Sequence, residues 1–104
     1  MDRLQQLKQF AQEEPDDPFN LYALALEYLK TEPSEALSIF KRLLDTKPGY
    51  LPTYYPYAQL LAEKQFPEIA EEVFKAGIKV ARNANDLKTM RELQAAYNDW
   101  RYES

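Results

Sequence analysis

Two stretches of the chain carry the same spacing of apolar, small and aromatic residues. In the first, the residues are separated by three, one and three positions: Leu21, Leu24, Ala25 and Tyr28. The same spacing recurs 33 positions later: Tyr54, Tyr57, Ala58 and Leu61. Residues three or four positions apart share one face of a helix, so each stretch predicts a helix that buries this face. A chain with such a repeat is expected to build its core by stacking similar units.

A second helix is predicted in each unit. Its apolar and small residues recur at a shift of 34: Ala36, Phe40 and Leu43, then Ala70, Phe74 and Gly77. Pro33 and Pro67, also 34 apart, each begin this helix, because proline is favoured in the first turn. The two shifts differ by one, so the first unit lacks one residue in its turn, near residues 30–32.

The whole chain is predicted to form six helices and an all-α fold. They are predicted at residues 2–14, 18–30, 33–46, 53–64, 67–82 and 86–102. Linkers of two to six residues make neighbouring helices antiparallel hairpins, and no stretch alternates with the period of a strand. Asp17 is a predicted N-cap, as is Asn85 or Asp86. Thr53 as N-cap of the fourth helix would leave Pro56 in the first turn, where its missing N–H costs little.

These residues resemble the tetratricopeptide repeat (TPR) family. That family's unit has a large residue, Leu, a small residue and an aromatic in its first helix, then Ala, an aromatic, Ala and Pro. Residues 18–50 match this pattern through Pro48, with Leu43 in place of the last Ala. Residues 51–84 also match, with three departures: Leu61 for the aromatic, Gly77 for Ala and Arg82 for Pro. The resemblance covers about two-thirds of the chain.

The resemblance implies the fold class and its organisation. It predicts an α-α superhelix, a right-handed solenoid of helical hairpins, as a single domain over residues 1–104. Residues 1–17 form an N-terminal helix like the second half of a preceding repeat. Residues 18–50 and 51–84 are the two repeats, and residues 85–104 resemble the capping helix of such arrays.

The resemblance also implies a partner-binding surface. In that family the first helix of each repeat lines a concave surface that binds peptides or proteins. Carried over by position, this surface is an aromatic and apolar groove in this chain. Its predicted contact residues are Phe19, Tyr22, Leu26, Lys30, Tyr55, Gln59 and Glu63. Some members grip a partner's C-terminal carboxylate with lysine, asparagine and arginine, but Tyr22, Leu26 and Pro56 stand at the comparable positions, so that clamp is not expected.

Three alternatives stay open at this point. The N-terminal helix could cover Phe19, Tyr22 and Leu26. Arrays usually need about three repeats for stability, so the same surface could instead be buried in a symmetric homodimer that serves as an assembly scaffold. Trp100 either seals the end of the array or forms an exposed docking patch with Tyr102.

Composition excludes most catalytic chemistry. The chain has no cysteine and no histidine, so thiolate or histidine metal sites and Ser-His-Asp triads cannot form. With two glycines it lacks a P-loop or dinucleotide fingerprint. The run EEPDD at residues 13–17 lacks the spaced oxygen pattern of a calcium loop. We therefore expect no enzyme activity, no cofactor and no metal.

Charge and hydropathy argue against nucleic-acid and membrane partners, and the resemblance implies a protein or peptide partner. The net charge of −4 argues against nucleic acid, which needs a basic patch. No apolar run approaches the roughly 20 residues of a membrane span, and cytoplasmic is the default location.

Gly77 lies inside a predicted helix, where glycine costs about 1 kcal/mol of helix stability relative to alanine. Its presence predicts a helix crossing too tight for a methyl group.

Overall fold

A computed structural model describes residues 2–103 and contains six α-helices over this range. They are α1 (Arg3–Glu13), α2 (Pro18–Tyr28), α3 (Pro33–Thr46), α4 (Tyr54–Glu63), α5 (Pro67–Asn83) and α6 (Leu87–Glu103), with a short 3-10 helix at Leu51–Thr53. No described residue lies in a strand, which confirms the all-α prediction. Each helix ends within two residues of its predicted boundary.

Local signals begin two of the helices as predicted. The Asp17 carboxylate accepts a hydrogen bond from the Phe19 N–H at 3.0 Å, directly before Pro18. At α6 the Asp86 carboxylate accepts from the Thr89 N–H at 3.1 Å, so Asp86 is the capping residue. This backbone hydrogen bond lowers the pKa of Asp86, because it favours the ionised form.

The start of α4 differs from the prediction. Thr53 is fully buried, and its Oγ1 has no hydrogen-bond partner, so it is not a side-chain cap. A cap at Thr53 would bond the N–H of the second or third helical residue. The third is Pro56, which has none, so only the Tyr55 N–H would be left for such a cap. The chain instead enters α4 through the 3-10 helix, where the Thr53 N–H bonds the Tyr50 carbonyl at 3.4 Å.

The chain forms two compact units, Met1–Thr53 and Tyr54–Ser104. In the first, α2 packs against α1 and α3. Its buried apolar residues are Leu7, Leu21, Leu24, Ala25, Tyr28, Ala36, Phe40 and Leu43. In the second, α5 packs against α4 and α6. Its buried apolar residues include Tyr54, Tyr57, Ala58, Leu61, Ala70, Phe74, Leu93 and Tyr97. Every apolar and small residue of the repeated helix faces is therefore buried, Gly77 included, as the spacing predicts.

Helical spacing predicts an apolar face on each terminal helix: Leu4, Leu7, Phe10 and Ala11 on α1, and Leu87, Met90, Leu93, Tyr97 and Trp100 on α6. Two of these residues lie on the surface instead. Phe10 of α1 is 50% exposed and Leu87 of α6 is 44% exposed. Within its unit each of these terminal helices packs against one neighbour, so only a narrow stripe of the helix is covered. Helical spacing therefore predicted the buried face of each terminal helix correctly but overestimated how wide that face is.

The second repeat has one more residue in its turn than the first, and that residue adopts a left-handed backbone conformation. The α4–α5 turn is closed by Gln65, with φ of 65°, and by the Phe66 N–H, which bonds the Leu61 carbonyl at 2.9 Å. This pattern is a Schellman motif. In the α2–α3 turn, residues 29–32 include no positive φ, and the Glu32 N–H bonds the Tyr28 carbonyl at 2.7 Å. The first turn thus closes with one residue fewer.

Gly77 lies at a very close approach between helices. A Cβ atom built on it would lie 2.7 Å from Tyr54 Cβ on α4 and 3.0 Å from Leu93 Cδ1 on α6. The first distance is too short for two carbon atoms, which prefer about 3.5 to 4.0 Å. The predicted crossing that excludes a methyl group is present.

Candidate functional site

Four of the predicted contact residues lie together in the first unit. They line an open cleft of about 370 Å³, here called the N-terminal cleft. Its lining residues are Arg3, Phe19, Tyr22, Ala23, Leu26, Glu27 and Lys30. Phe19, Tyr22 and Leu26 recur at three to four residues along α2 and share one helix face, and Lys30 follows four residues later, just beyond the end of α2. This face lies beside the buried one, so the repeat that builds the core also positions the cleft.

The N-terminal cleft is aromatic and only partly covered by α1. Phe19 is 59% exposed, whereas Tyr22 and Leu26 are half-buried. The Tyr22 ring meets the Tyr50 ring edge to face, with centroids 5.8 Å apart, and burial raises the pKa of Tyr22. Arg3 is the one described residue of α1 in the lining. The N-terminal helix therefore leaves Phe19 open.

Charges in the N-terminal cleft are partly neutralised. Glu27 Oε2 lies 3.2 Å from Lys30 Nζ and 3.8 Å from Arg3 Nε. Both cationic side chains are largely exposed, so each pair contributes at most a few tenths to about 1 kcal/mol. Two cations and one anion leave this cleft with a slight positive charge.

The other three predicted residues lie together in the second unit. They line an open cleft of about 290 Å³, here called the C-terminal cleft. Its lining residues are Tyr55, Gln59, Ala62 and Glu63 of α4, Phe74 of α5, and Ala96, Asp99, Trp100 and Glu103 of α6. Tyr55 is 39% exposed, and its Oη accepts a hydrogen bond from Gln59 Nε2 at 3.1 Å.

Aromatic rings form the floor of the C-terminal cleft. Phe74 is almost fully buried, and its ring centroid lies 5.7 Å from that of Trp100 and 5.6 Å from that of Tyr97. Trp100 is half-buried and also lines a second open cleft beside Pro67 and Arg101. Trp100 thus both packs on the core and faces solvent, whereas Tyr102 is 91% exposed and lies outside the C-terminal cleft.

The sequence prediction missed the contribution of α6 to this cleft. Asp99 and Glu103 were not among the predicted contact residues. A signal was present in the spacing, because Ala96, Asp99, Trp100 and Glu103 recur at three to four residues and share one helix face. The repeat pattern does not include that face, since α6 lies outside both repeats.

A polar cluster joins α6 to α5 beside the two clefts that Trp100 lines. Tyr97 Oη donates to Glu71 Oε1 at 2.8 Å, and Lys75 Nζ lies 3.0 Å from the same oxygen. The Lys75 hydrogen bond, followed by that of Tyr97, lowers the pKa of Glu71. The Arg101 guanidinium lies over the Tyr97 ring, 5.5 Å from its centroid. Glu71 is therefore held in an ion pair and a hydrogen bond that join two helices.

Residues 2–103 include neither a metal-binding group of side chains nor a membrane-spanning helix. Within this range no three carboxylates are grouped so that they could hold a metal ion. Over the same residues no helix is both long and apolar enough to cross a membrane.

Comparison with known proteins supports one family. No family model matches the sequence, and no curated protein matches it. A solution structure of a tetratricopeptide repeat domain protein from Salinibacter ruber is similar, with 39% identity, a TM-score of 0.78, and coverage of 83% of this chain and 88% of that one. A crystal structure of such a protein from the same organism has 37% identity, a TM-score of 0.79, and coverage of 85% and 100%.

A third neighbour supports the fold alone. The solution structure of a protein from Bordetella parapertussis has 19% identity, a TM-score of 0.82, and coverage of 99% of this chain and 90% of that one. Together with the six helices, the Salinibacter ruber structures confirm the predicted class of helical hairpins.

Proposed function

This chain belongs to the tetratricopeptide repeat family, and we propose that it is a non-catalytic module that binds a segment of a partner protein. The family is in general an interaction fold. The proposed contacts are the aromatic and apolar faces of α2 and α4, which correspond by sequence position to the family's concave groove. The observation that carries the proposal is the exposure of Phe19 and Tyr55, one on each face, at 59% and 39%.

Exposed aromatic rings beside open clefts are suited to recognition. Burying such a ring removes a large apolar area from water, and the rings are stiff, so little conformational freedom is lost on binding. Phe19 and Tyr55 are not needed to complete the core, whose repeated positions are filled by other side chains. The matching partner is a segment that carries apolar or aromatic side chains.

The test compares two double variants of the same chemistry. Phe19→Ala with Tyr55→Ala removes one ring from each cleft. Phe10→Ala with Tyr102→Ala removes one phenylalanine and one tyrosine that are 50% and 91% exposed and line neither cleft. Proteins captured from native lysate by the unchanged chain are identified by mass spectrometry, and circular dichroism checks that each variant is folded.

The expected result is a specific loss. A partner retained by the Phe10→Ala, Tyr102→Ala variant should be lost by the Phe19→Ala, Tyr55→Ala variant. Capture that is equal in both folded variants would reject the two faces as the binding surface.

The alternative is that the same faces mediate self-association in a homodimer that acts as an assembly scaffold. The presence of two repeats, where about three are usual for stability, favours this alternative. Light scattering after size exclusion distinguishes a monomer that binds a partner segment from a self-associated homodimer. A dimer that the Phe19→Ala, Tyr55→Ala variant converts to a monomer would support self-association, and a monomer at high concentration would reject it.

A further inference from the structure

The C-terminal cleft combines aromatic rings with an unbalanced negative charge. Tyr55, Gln59 and Glu63 follow one face of α4 at intervals of four residues, and Asp99, Trp100 and Glu103 follow one face of α6. Phe74 of α5 forms the floor between these two faces. The cleft is therefore a ring-lined depression whose rim carries three carboxylates: Glu63, Asp99 and Glu103.

None of these three carboxylates is neutralised within the described part of the chain. Each is exposed, and over residues 2–103 none forms an ion pair or a hydrogen bond to another side chain. No lysine or arginine is among the described lining residues. Like charges grouped around one depression repel each other and raise the local concentration of cations. A cationic group entering the cleft would relieve that repulsion.

The aromatic component selects among cations. A guanidinium group is planar and weakly hydrated, stacks on tryptophan and tyrosine faces, and has five N–H donors that can reach separate carboxylates. A lysine ammonium is a strongly hydrated point charge and gains less from a ring. Trp100 is half-buried in the cleft wall, and the Tyr55 hydroxyl accepts from Gln59 on the same helix face.

We propose that the C-terminal cleft receives an arginine side chain of the partner segment, held against Trp100 and Tyr55 by the carboxylates of Glu63, Asp99 and Glu103. The inference rests on the proposed function, because it names the chemistry of the same surface. It also distinguishes the two clefts, since Arg3 and Lys30 give the N-terminal cleft the opposite charge.

The only tryptophan of the chain lines this cleft and also the cleft beside Pro67, so its fluorescence detects binding, and the variants below assign the binding to one cleft. The probe is a blocked hexapeptide, acetyl-Ala-Leu-Arg-Phe-Arg-Ala-amide, and its control replaces both arginines with citrulline, which keeps the shape and removes the charge. We expect the arginine peptide to change Trp100 fluorescence saturably. The citrulline peptide should bind about tenfold more weakly, and added salt should weaken the arginine peptide alone.

Two triple variants with the same change in net charge localise the effect. Glu63→Gln, Asp99→Asn and Glu103→Gln neutralise the rim. Asp16→Asn, Glu72→Gln and Glu92→Gln neutralise exposed carboxylates outside the cleft. We expect about tenfold weaker peptide binding in the first triple and less than about twofold change in the second. If the first triple is not folded by circular dichroism, Asp99→Asn and Glu103→Gln are measured singly, with a loss of about twofold to threefold each.

Several results would overturn the inference. They are no binding by calorimetry at millimolar peptide, equal binding of the citrulline peptide, equal loss in both triple variants, or unchanged affinity in both single variants. Failure here is distinguishable from failure of the proposed function. A captured partner that is lost by Phe19→Ala, Tyr55→Ala but retained by the rim triple would leave the interaction surface standing and remove the arginine site.

Discussion

Replacement of Gly77 by alanine tests the packing of the second unit most directly. On helix propensity alone the change should stabilise the protein by about 1 kcal/mol. The structure predicts the opposite, because the added methyl carbon would lie 2.7 Å from Tyr54 Cβ and 2.9 Å from Tyr54 Cγ. Leu93 Cδ1 of α6 lies 3.0 Å from the same methyl carbon, so the methyl group is crowded by both neighbouring helices.

The size of the effect follows from which atoms must move. Tyr54 is 2% exposed, and its Cβ is bonded to the backbone of α4, so a change of rotamer cannot clear it. Relief requires a shift of α4 relative to α5 in a packed core, where overpacking costs typically about 1–3 kcal/mol and occasionally more. With a clash this short we place the cost near the upper end, at about 3 kcal/mol. Subtracting the propensity gain of about 1 kcal/mol leaves a net destabilisation of about 2 kcal/mol.

Thermal and chemical denaturation followed by circular dichroism measure this difference. A loss of about 2 kcal/mol corresponds to a fall in Tm of roughly 10 °C for a chain of this size. The chain offers a matched control in its other glycine. Gly49→Ala introduces the same methyl group where no atom lies within 4 Å and φ is not positive. It should leave stability unchanged or raise it by up to about 1 kcal/mol through the unfolded state. A Tm for Gly77→Ala equal to or above that of the unchanged chain would refute the reasoning.

Substitutions at four further positions probe local features of the fold by the same denaturation assay. Thr53→Val should raise stability by about 1 kcal/mol, because it removes a buried hydroxyl that has no partner while keeping the shape; Thr53→Ala, which leaves a void, should lower it. Gln65→Gly should raise stability by up to about 1 kcal/mol, because its φ of 65° is costly for a residue with a Cβ; the same change at Asn85, φ 58°, should gain less because asparagine tolerates this region. Tyr97→Phe should cost about 1 kcal/mol and raise the pKa of Glu71 toward its ordinary value of 4.5, measured by NMR titration, because a hydrogen bond to the carboxylate is lost. Because that pKa is lowered in the folded state, the ionised Glu71 carboxylate adds to the free energy of unfolding above pH 4.5, and this contribution is lost as the pH falls through the lowered value. In Tyr97→Phe the free energy of unfolding should therefore decrease less on acidification.

The fold could be predicted from sequence because its determinants are local and occur twice. The spacing of Leu21, Leu24 and Tyr28 defines a buried helix face without knowledge of any other helix. Pro33 and Pro67 place helix starts by backbone chemistry alone. The start of α4 could not be predicted in this way. It depends on Pro56, which removes one of the two donors that a cap at Thr53 could bond, together with the 3-10 helix that the chain adopts instead.

The candidate site was predictable only where it follows the repeat. Tyr55 and Phe19 were predicted because they lie one and two positions from the core residues Tyr54 and Leu21. The contribution of Asp99 and Glu103 depends on which face of α6 turns toward the depression over Phe74. That choice is made by packing of Trp100 and Tyr97 on the Phe74 ring, and it has no counterpart in the repeated units.

The two clefts show which repeat positions are free to change. Tyr22, Leu26 and Lys30 of the N-terminal cleft correspond, 33 residues on, to Tyr55, Gln59 and Glu63 of the C-terminal cleft. Residues one position away, such as Leu21 and Tyr54, are buried and keep the core filled in both units. The lining positions carry no such constraint, and here the aromatic ring is kept while the charge is reversed. Because stability depends on the buried face and recognition on its neighbour, exchanging the charges at residues 30 and 63 should alter which segment is bound without unfolding either unit.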